Sequence, residues 1–115
     1  MTITRIETGL RASQAVVHNG TVYLAGQVGT PGDTVGAQTR TILENVERLL
    51  EAAGSSKAHL LSAMIWLADI ADFEEMNAAW DAWVADVDAP TRATGESRLA
   101  APGYKVEIVI VAATA

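Results

Sequence analysis

Two residues have types and settings suited to chemistry. Arg92 follows Pro90-Thr91 at the start of a predicted strand. A guanidinium there can clamp a carboxylate through two parallel hydrogen bonds; a surface arginine or a structural ion pair is the alternative. Glu107 lies mid-strand between Val106 and Ile108, on the face of Val109 and Val111. Burying a carboxylate in such company is costly unless it is paired or hydrogen-bonded, and one partly removed from water suits acid–base work. Its alternative is an edge-strand glutamate that reaches solvent. Asn77, beside the apolar stripe of a predicted helix, can donate to a ligand or to a backbone carbonyl. Gln14 reads as a satisfied sheet amide.

Other chemistries are excluded. There is no cysteine, hence no disulfide, thiolate zinc site or cysteine nucleophile. His18 and His59 do not stand at metal-ligand spacing, so no metal is expected. Gly26, Gly29 and Gly32 do not match a dinucleotide fingerprint, and no G-x-S-x-G occurs. Trp66, Trp80 and Trp83 read as core and interface residues. The net charge of −6 and eight scattered Lys and Arg residues argue against nucleic-acid binding. The longest apolar stretch, Leu60 to Ala68, is too short to span a bilayer. The first nine residues lack the apolar run of a signal peptide. A cytoplasmic protein without membrane contact is expected.

The elements that must position these residues follow from the pattern. Ser13 to His18 and Thr21 to Ala25 are strands around Asn19-Gly20, a strong hairpin signal. Gly29 to Gly32 is a loop. Val35, Thr39, Ile42, Val46, Leu49, Leu50 and Ala53 recur at helical spacing, predicting a helix over 34–53 with Asp33 or Thr34 as its cap and Gly54 past its end. Leu60 to Leu67 is a strand apolar on both faces. Asp72 is expected to cap a second helix with a stripe of Phe73, Met76, Trp80, Trp83, Val84 and Val87. Thr91 to Ser97 and Tyr104 to Ala112 are strands, separated by a turn containing Pro102 and Gly103, and a short strand is expected at Ile3 to Glu7. The 115 residues make one α+β domain.

In the last strand Tyr104, Val106, Ile108 and Ile110 point one way, and Lys105, Glu107, Val109 and Val111 the other. Two helices cover one face of such a sheet. The other face would leave an apolar patch larger than monomers tolerate, so cyclic self-association is expected.

These pieces resemble, in order and spacing over nearly the whole chain, the reactive-intermediate deaminase (Rid, or YjgF) family. Ser13-Gln14-Ala15-Val16 and Val22-Tyr23-Leu24-Ala25-Gly26-Gln27 resemble its opening hairpin. Gln38, Leu43-Glu44-Asn45-Val46 and Leu50-Glu51-Ala52-Ala53-Gly54 resemble its first helix. Asp69 to Phe73 with Met76-Asn77 resembles its second helix start, Ala89-Pro90-Thr91-Arg92-Ala93-Thr94 its P-A-R signature, and Val106-Glu107-Ile108-Val109 its V-E-I-E strand. The resemblance implies a chorismate-mutase-like fold, helices outside and sheets forming a central barrel, assembled as a homotrimer with a cleft between each pair of subunits. It implies that Arg92 binds a substrate carboxylate and that Glu107 polarises the attacking water, the two catalytic residues. Asn77, Thr94 and the backbone around Ala25, Gly26 and Gln27 would bind substrate. It implies hydrolysis of small enamines and imines such as 2-aminoacrylate to ketoacid and ammonia, a 2-iminobutanoate/2-iminopropanoate deaminase-like activity that needs no cofactor.

The sequence departs from the family pattern at three places. Ala12 stands where a tyrosine is common, Val109 replaces the second glutamate, and Thr94 stands where a cysteine is common. A second reading follows: binding or sensing of small carboxylates or ketoacids in the same cleft without turnover. A third, ribonuclease action, is opposed by the acidic charge. The deaminase reading expects Arg92 and Glu107 to meet where protomers join, and it is lost if they lie on opposite sides of the sheet or if either points freely into water far from a neighbouring copy.

Overall fold

The structure, a computed structural model, describes residues 2–115. Asn19 and Gly20 take φ of 54° and 75°, the left-handed pair that a tight antiparallel turn requires. They join β2 (Ser13–His18) to β3 (Thr21–Leu24), with β1 (Thr4–Thr8) outside β2. Then come β4 (Gln27–Val28), α1 (Val35–Ala52), β5 (Leu60–Leu67), α2 (Phe73–Val84), β6 (Thr91–Glu96) and β7 (Val106–Ala113). The sheet order is β1-β2-β3-β7-β5-β6, with β4 also on β7. Only β5 and β6 run parallel, as a crossover through α2 demands.

Both helices cover one face of the sheet. Ile42, Val46, Leu49 and Leu50 of α1 and Met76 and Trp80 of α2 join Ala63, Ile65, Leu67, Val106, Ile108 and Ile110 in a single core. On the opposite face Ser62, Met64, Trp66, Val109 and Val111 are only half-buried and Tyr23 is 50% exposed. The two-sided apolar character expected of β5 and β7 thus resolves into one covered face and one that the chain itself leaves open.

Three local readings differ from the structure, and the choice of cap for α1 is decided by it. Gln27 and Val28, expected beside a loop, form a short strand because they recover hydrogen bonds with Ile108 and Glu107 of β7. The cap of α1 is Thr34, whose Oγ1 accepts from the Ala37 N–H at 3.1 Å. Asp72 makes no side-chain cap. It ends a short 3₁₀ turn, Ile70–Asp72, which Asp69 caps through the Ala71 N–H at 2.9 Å; with φ −85° and ψ 8°, Asp72 lacks the extended backbone of a capping residue. Val87 lies beyond the end of α2.

The anchoring of α2 matters because α2 carries Asn77. At its start Glu75 accepts from the Gly36 N–H of α1 at 2.9 Å, satisfying a donor the helix cannot. Beyond its end, Lys57 donates to the Trp83 carbonyl at 2.8 Å and pairs with Asp86 at 2.9 Å, an attraction that holds the Asp86 carboxyl below its usual range. The entry to β7 is fixed by Gln38. This fully buried side chain donates to the carbonyls of Asp33 and Gly103 at 3.0 and 2.9 Å and accepts from the Lys105 N–H at 2.9 Å. Gly29 packs on it so closely that a Cβ would stand 2.8 Å from the Gln38 Cα. Gln38→Leu keeps the volume and removes all three bonds, leaving the Asp33 carbonyl and the Lys105 N–H without partners while the Gly103 carbonyl keeps the Gly32 N–H at 3.1 Å. A loss of about 2–3 kcal/mol is expected, read as a lower urea midpoint with an unchanged m-value.

Candidate functional site

The expected site residues fall into two groups. The first gathers on the helix-covered side. In β6, Arg92 pairs with Ala63 and Thr94 with Ile65, both core residues of β5. Cross-strand partners share a face, so Arg92 and Thr94 point toward α2. There Phe73, Asn77 and Trp80, at spacings of four and three, line one stripe of the helix. The Arg92 guanidinium lies over both rings, 5.7 Å from the Phe73 centroid and 5.6 Å from that of Trp80, cation–π contacts that hold a charge without neutralising it. Among the described residues Arg92 pairs with no carboxylate, so a structural ion pair does not explain it. Asn77 Oδ1 and Thr94 Oγ1 are buried and have no hydrogen-bond partner. Such orphans are rare.

The second group surrounds Glu107. The β7 register sets Glu107 opposite Trp66 of β5 and Val28 of β4, on the open face. Tyr23 pairs with Val111, and Gln27 with Ile108. Four steps on one chain thus match three on the other, a β-bulge at Leu24-Ala25-Gly26. The bulge brings Gly26 under the carboxylate: a Cβ there would stand 2.5 Å from Glu107 Oε2 and 2.9 Å from its Cδ. Only glycine admits the acid in that position. Gln27 is buried and its amide donates to Gln14 Oε1 at 2.9 Å and to the Ala25 carbonyl at 3.1 Å, while the Ala25 N–H donates to the Gln14 carbonyl at 2.9 Å. Gln14 is the satisfied amide expected, and it braces the bulge. No hydrogen bond to the Glu107 carboxylate forms among the described residues.

Arg92 and Glu107 therefore lie on opposite faces of the sheet within one chain, which overturns the expectation that they share a side; only a contact between chains can bring the pair together. β6 is the last strand, however, so Arg92 borders both faces. It also lines a concavity of about 400 Å³ on the open face with Ser62, Met64, Val109 and Val111. A separate groove of about 510 Å³ between α1 and α2, lined by Arg40, Leu43, Glu75, Ala79 and Trp83, holds none of the expected residues. No cluster of metal-ligating side chains occurs among the described residues, and no helix among them is long and apolar enough to cross a membrane. His59 Nδ1 lies 2.9 Å from Ser56 Oγ, as a helix-end residue. The sequence reading missed the role of Phe73 and Trp80 as a bed for Arg92. Their shared stripe with Asn77 was the available signal.

The profile of the endoribonuclease L-PSP family matches residues 2–114. The chain belongs to this family, the Rid/YjgF family. Among its Rid/YjgF relatives, a RutC family protein of Haemophilus influenzae is 46% identical over 97% of this chain and 98% of its own. The RutC family protein YoaB of Escherichia coli is 46% identical over 98% and 99%. The crystal structure of a YjgF-family member from Neisseria meningitidis superposes with a TM-score of 0.96 at 45% identity, covering 100% and 97% of the two chains. A Mycobacterium tuberculosis member superposes with a TM-score of 0.90 at 28% identity, covering 98% and 100%. The expected Rid/YjgF α+β fold, a mixed sheet with two helices on one face, is thus the fold of this chain.

Proposed function

We propose that three copies of this chain form clefts that hydrolyse small 2-imino acids and their enamines to 2-ketoacids and ammonia. The observation that carries this is the Arg92 site: a half-buried guanidinium without a carboxylate partner, lying on Phe73 and Trp80 on the side of the sheet that also holds Asn77 and Thr94. A planar carboxylate fits its fork. Family membership supports the reaction class.

The opposite facing of Arg92 and Glu107 dictates how such a cleft is built. Each protomer offers Arg92 at its β6 edge and Glu107 on its open face. The two meet only if the edge of one copy meets the open face of the next. A cyclic trimer closes such a head-to-tail contact and covers Val109, Val111, Met64 and Tyr23. In that cleft Arg92 of one protomer holds the substrate carboxylate and orients C2 of the imine. Glu107 of its neighbour accepts a proton from water as the oxygen adds to C2. The C2–N π pair moves to nitrogen, which takes that proton back from Glu107 to give a carbinolamine. The carbinolamine hydroxyl then passes its proton through Glu107 to the same nitrogen as the C2–N bond breaks, releasing ammonia and leaving the ketoacid carbonyl with Glu107 ionised again. Positioning alone contributes up to about 7–11 kcal/mol of the barrier, and a base adds about 10²–10⁴ in rate.

The test is ketoacid and ammonia formation from freshly generated 2-iminopropanoate, measured against its spontaneous hydrolysis. Arg92→Ala is expected to lower the catalysed rate by about 10² or more while leaving the oligomeric mass unchanged. No acceleration by the native protein overturns the reading.

One observation favours a second reading. The Arg92 group is complete in one chain without Glu107, and Ala12 and Val109 depart from the family's catalytic pattern. Binding of ketoacids without turnover needs only that group. Ketoacid affinity in calorimetry, without any rate enhancement, selects it. Ribonuclease action is not supported: the charge is −6, where a phosphate backbone needs a basic surface. A cytoplasmic location belongs to this reading.

A further inference from the structure

Arg92 carries five N–H donors, and no hydrogen bond from its guanidinium forms among the described residues; the group lies on Phe73 and Trp80. Two buried side-chain oxygens without partners belong to the same side of the sheet. Asn77 Oδ1 leaves α2 between those two rings, and Thr94 Oγ1 shares the Arg92 face of β6 two residues on. Unused donors beside unused buried acceptors are an unfinished arrangement, because a buried polar atom without a partner is penalised. Both acceptor atoms are closed off from solvent. Arg92 shares its face of β6 with Thr94 and lies on the rings of Phe73 and Trp80, the residues on either side of Asn77 in the same stripe of α2.

We infer that Asn77 and Thr94 are positioning residues that act through Arg92 instead of touching substrate. The guanidinium has two poses. In the parked pose, seen here, it lies on the rings. In the engaged pose its inner N–H groups donate to Asn77 Oδ1 and Thr94 Oγ1, and its outer edge presents two parallel N–H groups to a carboxylate. The incoming anion tips the balance, since charge-assisted bonds to it replace the cation–π contacts. Thr94 then has a function that its hydroxyl serves and a plain methyl does not. This inference rests on Arg92 being a carboxylate site.

Calorimetric titration with 2-ketobutyrate, paired with NMR of the Arg92 guanidinium protons, tests it. In the native protein, saturation is expected to slow guanidinium rotation and resolve separate Hη signals. Thr94→Val and Asn77→Leu, both close in shape to the residues they replace, are each expected to weaken binding about tenfold and to collapse those signals. Thr94→Ser is expected to restore both readouts. Native-like affinity and signals in both variants overturn the positioning role while leaving the carboxylate site standing. Failure of the native protein to bind any 2-ketoacid removes the site and this inference with it.

Discussion

Trimers assembled from a mixture of Arg92→Ala and Glu107→Gln chains are expected to recover activity in about a quarter of their clefts, although each variant alone is inactive. The expectation follows from the sheet register. Arg92 pairs with Ala63 on the covered face, and Glu107 with Trp66 on the open one, so a working cleft draws the two from different chains. In an equal, random mixture a cleft takes its arginine from a chain lacking the glutamate, and its glutamate from a chain lacking the arginine, about one time in four. Were both residues supplied by the same chain, every cleft would carry a defect and the mixture would stay silent. Coexpression of two differently tagged variants, tandem purification and a ketoacid assay decide between these outcomes. A silent mixture in verified mixed trimers overturns the shared cleft.

Val111→Asp is expected to convert the proposed trimer into a folded, inactive monomer. Val111 sits on the open face, opposite Ser62 and Tyr23, and is half-buried in the single chain. An aspartate there reaches water in the monomer and leaves the core of Ile108, Ile110 and Ala112 untouched. In a closed trimer three such carboxylates turn inward without partners, at several kcal/mol each. Light scattering at micromolar concentration reads the mass, and circular dichroism the retained fold. A native protein that is already monomeric, or a variant that stays trimeric and active, contradicts the proposed assembly.

Much of the fold was legible because its signals are local. Asn19-Gly20 announces its own hairpin, the 3.6-residue spacing of α1 marks its buried stripe, and the period of two in β7 assigned Glu107 to the face of Val109 and Val111, as the structure has it. The candidate residues were nameable through the resemblance of short motifs spread along the chain. Arg92, Asn77 and Thr94 do gather at α2 and β6, and Gly26 does adjoin Glu107.

What the amino-acid order determined by itself was therefore the two helices and every strand but β4, the alternation within each strand, and the absence of thiolate chemistry. Only the tertiary structure decided which faces of different strands coincide. Alternation within a strand says nothing about its neighbour's phase; that depends on the length of the α2 crossover, which sets β6 against β5, and on the one-residue bulge at Gly26, which sets β4 against β7. Those long-range registers put Arg92 and Glu107 on opposite sides. Burial, likewise a property of the packed whole, left Asn77 Oδ1 and Thr94 Oγ1 without partners.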